Sequence, residues 1–169
     1  MYVADGAGSG VWAHGINNTH GQMAIIANST AKAMSAAADA TLNTNTDYVK
    51  MTGAAFPWAD NYSHGVTFST DKFVLAQPGY YIVSFWGAFL VAAINTFIGI
   101  KYAINDTTPY SVQKLISQSS TANDYINLSA TSIIGPVAAN DTISMYLASS
   151  NATNITLKDG GLMVAHLHE

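Results

Sequence analysis

The residues with the most chemical reach in this chain are its five histidines: His14, His20, His64, His166 and His168. His166 and His168 stand two apart in a segment that reads as a strand, so both would point to one face, as paired metal ligands do. A third ligand at a fitting spacing is missing, and the plainer reading, two polar residues near a chain end, is preferred. No metal and no cofactor are expected. The ten carboxylates are scattered, mostly in turns. Asp106, Asp124, Asp141 and Asp159 read as turn residues rather than calcium ligands. No Gly-x-Ser-x-Gly elbow, HExxH pair or phosphate-binding loop is present. Triads assembled in space leave no such trace, yet no set of nucleophile, base and acid stands out, and an enzyme is not expected.

Composition narrows the partners. All six cationic side chains are lysines. Without arginine the chain lacks the bidentate fork that favours phosphate and nucleic-acid recognition, and a net charge of −4 points the same way. No run reaches the ~18 apolar residues of a membrane span, and the first residues lack the basic and apolar regions of a signal peptide. Neither nucleic acid nor membrane is therefore an expected partner. Cysteine is absent, which removes disulfides and thiol chemistry and leaves the redox compartment open. Charged residues make up 9% and hydrophobic ones 49%, a balance suited to a subunit that hides much of its surface in an assembly.

The elements that would position any site are strands. Phe73 to Val91 is central: an apolar run, a Gln77-Pro78-Gly79 turn in which proline presets φ and glycine takes the corner, then about a dozen β-branched and aromatic residues. At period two, one face carries Tyr81, Val83, Phe85 and Phe89. The other carries Tyr80, Ile82, Trp86 and Leu90, relieved by Ser84 and Ala88. A strand with one wet face alternates apolar and polar, so both faces of this one are expected to be covered, the second by another copy of the chain.

Other strands are expected at Gly21–Ala27, Thr46–Thr52, Val66–Thr70, Lys72–Ala76, Thr96–Ile104, Tyr110–Ser117, Tyr125–Ile134 (ended by Gly135-Pro136), Thr142–Ala148, Asn154–Lys158 and Leu162–His168. The last two are read as flanking a turn at Asp159-Gly160-Gly161. Ala31–Ala40 is open between helix, small-residue strand and loop. Gly53–His64 reads as a loop carrying Phe56, Trp58 and Tyr62, which either form a contact surface for a ligand or plug the end of a sandwich. About ten short strands with regular turns and no convincing helix predict an antiparallel sandwich or jelly roll, all-β. Residues 1–20 read as an N-terminal arm and 21–169 as the domain. In the arm, Asp5 to Gly10 is glycine-rich and aperiodic. Tyr2, Val3, Val11 and Trp12 are its attachment candidates, since burying Trp12 alone would contribute about 2–3 kcal/mol.

Three segments resemble the C1q/tumour-necrosis-factor-like jelly roll. Phe73, Pro78-Gly79-Tyr80-Tyr81 and Phe85 are similar to that family's Phe, Pro-Gly turn and aromatic-bearing strand. Val137–Ile143 resembles its later Leu-x-x-Gly-Asp-x-Val turn, with Asn140 where glycine is usual, and Gly160–Val164 resembles its closing Gly-Phe-Leu-Leu strand. The resemblance covers residues ~65–168 and implies a ten-stranded jelly roll forming a compact homotrimer. It implies that Tyr81, Val83 and Phe85 face the core while Tyr80, Ile82, Ser84 and Trp86 lie in the trimer interface. A threefold axis would also supply copies of the His166/His168 pair.

Departures from the family shape the functional expectation. No collagen-like stalk, cysteine or signal peptide is present, so a secreted vertebrate complement or cytokine role is not expected. The Ala4–Trp12 leader resembles glycine-rich segments of tailed-phage fibre and virion proteins. The expectation is a homotrimeric capsid decoration (cement) protein on the virion surface, held to the major capsid protein or another virion protein by its arm. The rival is a tail-fibre or head-fibre module that binds a receptor or host glycan through Trp58, Tyr62 and the Asn/Thr-rich loops.

Overall fold

A computed structural model describes the backbone of residues 2–4, 10–12, 19–107 and 115–167, and the side chains of 19–107 and 117–167. In chain order the strands are β1 (Tyr2–Ala4), β2 (Gly10–Trp12), β3 (His20–Ile25), β4 (Lys32–Met34), β5 (Val49–Lys50), β6 (Ala59–His64) and β7 (Val66–Ser69). They continue as β8 (Lys72–Leu75), β9 (Gly79–Val91), β10 (Phe97–Ile104), β11 (Leu115–Gln118), β12 (Asp124–Val137), β13 (Thr142–Ser149) and β14 (Thr153–His166). One 3-10 turn spans Asn45–Asp47.

Two antiparallel sheets pack face to face, as the jelly-roll reading requires. The first runs β12–β9–β14–β3–β6, with β4 beyond β3 on the same side of β14. The second runs β11–β10–β13–β8–β7, with β5 beyond β8 on β13. In the arm, β1 and β2 pair with each other, Tyr2 opposite Trp12 and Val3 opposite Val11. The side chains of Tyr2, Val3, Val11 and Trp12 lie outside the described residues.

β9 lies inside the first sheet, between β12 and β14, and alternates as its sequence demands. Tyr81, Val83, Phe85 and Phe89 are buried and form one cluster with residues such as Ile98, Ile100, Met145 and Leu147 of the second sheet. Removing such side chains from water is the main stabilising term of the fold. The turn before β9 is tied down at both sides. The Tyr81 hydroxyl donates to the Gln77 carbonyl at 2.9 Å, and His166 Nε2 donates to the Pro78 carbonyl at 2.9 Å.

Several expected boundaries move, each for a local reason. Asp159-Gly160-Gly161 is the interior of β14, one continuous strand with a bulge between Leu157 and Asp159. The glycines there serve close approach: a Cβ on Gly160 would stand 2.7 Å from the Trp86 carbonyl oxygen, and one on Gly161 2.2 Å from the Trp86 ring. Gly135-Pro136 lies inside β12, where pairing with β9 shifts after Ile134 and resumes at Val137 opposite Gly79. Of Thr46–Thr52 only Val49–Lys50 is strand, because the Asp47 carboxylate accepts the Ala38 N–H at 3.0 Å and holds that segment in a turn. Residues 59–64 form edge strand β6 rather than loop. Ala31–Ala40 contains only the short β4. The expected Tyr110–Ser117 strand is described from Leu115 onward.

Candidate functional site

The outward side of the first sheet is where this chain departs most from an ordinary soluble surface. Tyr80, Ile82, Ser84 and Trp86 all project there from β9, between the buried positions. Tyr80 is 43% exposed and Trp86 38%. The register adds neighbours that were not singled out from the sequence. On β12, Ile133 lies opposite Ile82, Thr131 opposite Ser84, Ser129 opposite Trp86 and Tyr125 opposite Leu90. On β14, Ala165, Met163 and Gly161 flank Ile82, Ser84 and Trp86. Ile133 is 61% and Tyr125 59% exposed.

The face is therefore layered along the strands. Tyr80, Ile82 and Ile133 make an apolar layer near the Pro-Gly turn. Below it Ser84 and Thr131 share a hydrogen bond of 2.7 Å. Trp86 follows, its indole lying against Gly161, and Leu90 with Tyr125 closes the far end. Beside the indole opens a shallow hollow of about 280 Å³, lined by Trp86, Ala88, Asn127, Ser129 and Asp159 among others. Asp159 is exposed there and accepts the Ala27 N–H at 2.9 Å. The period-two pattern of β12 was available as a signal for Ile133 and Tyr125. What it lacked was the direction of the core, because Ile133 and Ile134 are adjacent and apolar alike.

The loop aromatics divide, and two of them correct the expected ligand loop. Phe56 is 1% exposed, and Trp58, 7% exposed, donates its indole N–H to the Met51 carbonyl at 2.8 Å. Both belong to the core cluster; they plug the sandwich rather than form a contact surface. Tyr62 stays on the surface of β6, edge-on to His20 with ring centroids 4.8 Å apart. His20 in turn stacks on His64, its register partner, at 5.7 Å. Of the expected histidine pair, His166 packs against Tyr81 at 4.9 Å, and His168 lies outside the described residues. No group of three His, Asp or Glu placed to hold a metal ion occurs among the described residues.

The outward side of the second sheet is built differently. Residues 35–48 fold over it: Leu42 and Tyr48 cover Ala148 and are joined by Ala37 and Tyr146. Tyr48 donates to the Leu42 carbonyl at 3.0 Å, and burial, then the charge of Asp47, pushes its hydroxyl well above the usual phenol range. Lys101 is buried beneath it, its ammonium 4.4 Å from the ring centroid and bonded to the Asn45 amide oxygen. Next to this lid, Lys50 bridges Asp71 at 2.9 Å and Asp106 at 2.8 Å. Asp106 also takes Lys72 at 2.9 Å and the Ser144 hydroxyl at 2.7 Å. Burial alone would raise the Asp106 carboxyl, but hydrogen bonds from Lys50, Lys72 and Ser144 overcome it and bring it to about 2.

Neither a protein-family model nor a curated protein sequence matches this chain. Solved structures do. The globular domain of zebrafish complement 1qA protein superposes with a TM-score of 0.59 at 9% identity, over 90% of this chain and 98% of that one. Murine APRIL at pH 5.0 gives 0.55 at 10%, over 88% and 99%. Eiger TNF from S. frugiperda gives 0.54 at 10%, over 89% and 94%. At such identities the likeness is one of fold: this chain is an antiparallel jelly-roll sandwich of the C1q/TNF type.

Proposed function

We propose that this chain is the protomer of a non-enzymatic homotrimer, closed through the outward side of β9, β12 and β14, and that the trimer is a structural component of a tailed-phage virion. The observation that carries the reading is the apolar layering of that face: Tyr80, Ile82, Trp86 and Ile133 project from a sheet whose other side is already the core. An apolar face of this kind on a chain with 9% charged residues is what a subunit interface requires. Three copies close a ring about a threefold axis when each presents the same face inward. The family resemblance supports that number, and the likeness of fold is consistent with it.

Within the virion, decoration of the capsid is preferred to a fibre tip. A glycine-rich leader carrying large apolar residues suits a cement protein, which adds contacts across neighbouring capsid subunits and so opposes internal pressure. The attachment residues are Tyr2, Val3, Val11 and Trp12, in the segments that pair as β1 and β2. Deleting residues 1–15 is expected to abolish co-sedimentation with particles while the truncated chain keeps the mass of three copies in light scattering. Full occupancy of particles by the truncated protein overturns attachment through the arm.

A second reading keeps one specific observation in its favour. An indole platform beside Asn127, Ser129 and Asp159 is chemistry suited to a sugar ring, with stacking on the ring face and hydrogen bonds to hydroxyls. This is the receptor- or glycan-binding alternative, moved from Trp58 to Trp86. A glycan array separates the two: a pure cement protein binds nothing on it, whereas a sugar-binding module gives spots that Trp86→Ala abolishes.

A further inference from the structure

The hydroxyl layer in the middle of the apolar face has a geometry of its own, and the role inferred for it rests on the proposed trimer. Ser84 and Thr131 stand directly opposite each other on β9 and β12 and bond to each other at 2.7 Å, either oxygen being able to donate. Two hydroxyls carry two donors and four acceptor lone pairs, and their mutual bond uses one of each. One O–H per protomer is then left to point outward from the pair. Above it lie Ile82 and Ile133, beside it Met163, below it Trp86 and, opposite Trp86, Ser129, to which neither hydroxyl of the pair is bonded. Closed under such neighbours without a partner, that donor would be costly, because a buried unpaired polar group loses its hydration for nothing.

We infer that the three Ser84–Thr131 pairs of the trimer join into one closed ring of six hydroxyls on the axis. Each pair donates its second O–H to the pair of the next protomer, so all six donors are used, three within protomers and three between them. The ring closes only when the copies meet at the same height. Apolar layers alone do not enforce this, since a slide of four residues along the strands, which keeps the same side chains outward, sets the Ile82 layer against Trp86 and Trp86 against Leu90. Ser84 and Thr131 therefore select register and copy number, as a single polar position does in a coiled coil, at some cost in stability.

The test uses the full chain with Ser84→Ala, Thr131→Val and the double variant S84A/T131V, read by sedimentation and native mass spectrometry. Each single variant strands one hydroxyl and is expected to raise the concentration of half-dissociation roughly tenfold or more. The double variant strands none. It is expected to associate at least as tightly as wild type, with masses other than three copies now populated. Single variants as tight as the wild type, or a double variant weaker than either single and still uniformly trimeric, overturn the ring alone. A wild-type protein with the mass of one chain overturns the trimer, and the ring with it.

Discussion

Each sheet lays an aromatic ring across a glycine on its outward side. On the second sheet it is Tyr48, so close to Gly99 that a Cβ there would stand 2.5 Å from the phenol oxygen. On the first it is Trp86 over Gly161. Tyr48 is 5% exposed and Trp86 38%. The chain supplies a lid for the former: residues 35–48, anchored by Asp47 to the Ala38 N–H, by Tyr48 to Leu42 and by Asn45 to Lys101. For the latter it supplies none among the described residues. The two faces teach that a doubly apolar strand pair is not in itself an oligomer signal. It marks a cover, and only the rest of the chain tells whether the cover is a loop or another copy.

The largest effect is expected where the comparison is most asymmetric. Ile82→Asp together with Ile133→Asp places two carboxylates in the uncovered face, opposite each other in register. The protein should fold with an unchanged circular dichroism spectrum and drop from the mass of three chains to that of one in light scattering. A trimer that survives this pair is not closed through the first sheet.

Next comes the lid. Leu42 is completely buried, so Leu42→Ala should cost about 2–4 kcal/mol in urea unfolding. A loss well below 1 kcal/mol would mean that residues 35–48 are only loosely held, and the contrast between the faces would collapse.

The two glycines sharpen the same point. Gly99→Ala must move Tyr48 and Leu42, both confined, and is expected to destabilise the fold by roughly 1–3 kcal/mol. Gly161→Ala meets an indole with open space on its far side. Dilute enough to be monomeric, that variant should lose less than the Gly99 variant; as a trimer it should lose more, because the swung-out ring then has nowhere to go. Melting curves at two protein concentrations check both.

The smallest effect is the acid dependence of the second face. Asp106 has a folded-state carboxyl near 2 against the usual 3.8. Its contribution is thus complete above about pH 4 and is lost as the pH falls from there toward 2. The carboxylate is partly exposed, so after solvent screening Asp106→Asn should cost only about 1 kcal/mol at pH 7 and much less in acid near its own titration. Equal losses under both conditions would show that the ion cluster does not hold that face closed.

Much of this was legible in the residues themselves. The alternation of β9 sorted its side chains into two opposite sets, because a pleated strand leaves no freedom in that sorting; which set faces the core was implied by the family resemblance alone. The Pro-Gly corner and the regular turn residues marked the all-β sandwich for the same local reason. The glycines were legible only in part: Asp159-Gly160-Gly161 carries the composition of a turn, and nothing local distinguishes that from a strand lying under a large ring. Phe56 and Trp58 posed the same kind of question, since an aromatic in a loop looks alike whether it faces water or the core.

What the sequence by itself determined is periodicity, and with it the two-faced character of the central strand. What only the tertiary structure decided is which distant segment lies over each face. Tyr48 reaches Gly99, Trp86 reaches Gly161 and Thr131 reaches Ser84 across long stretches of chain, through strand pairings whose partners are chosen by the whole sheet. Local conformational preference acts over a few residues; coverage is settled by long-range packing, where the free energy of burying a ring depends on what the fold brings above it.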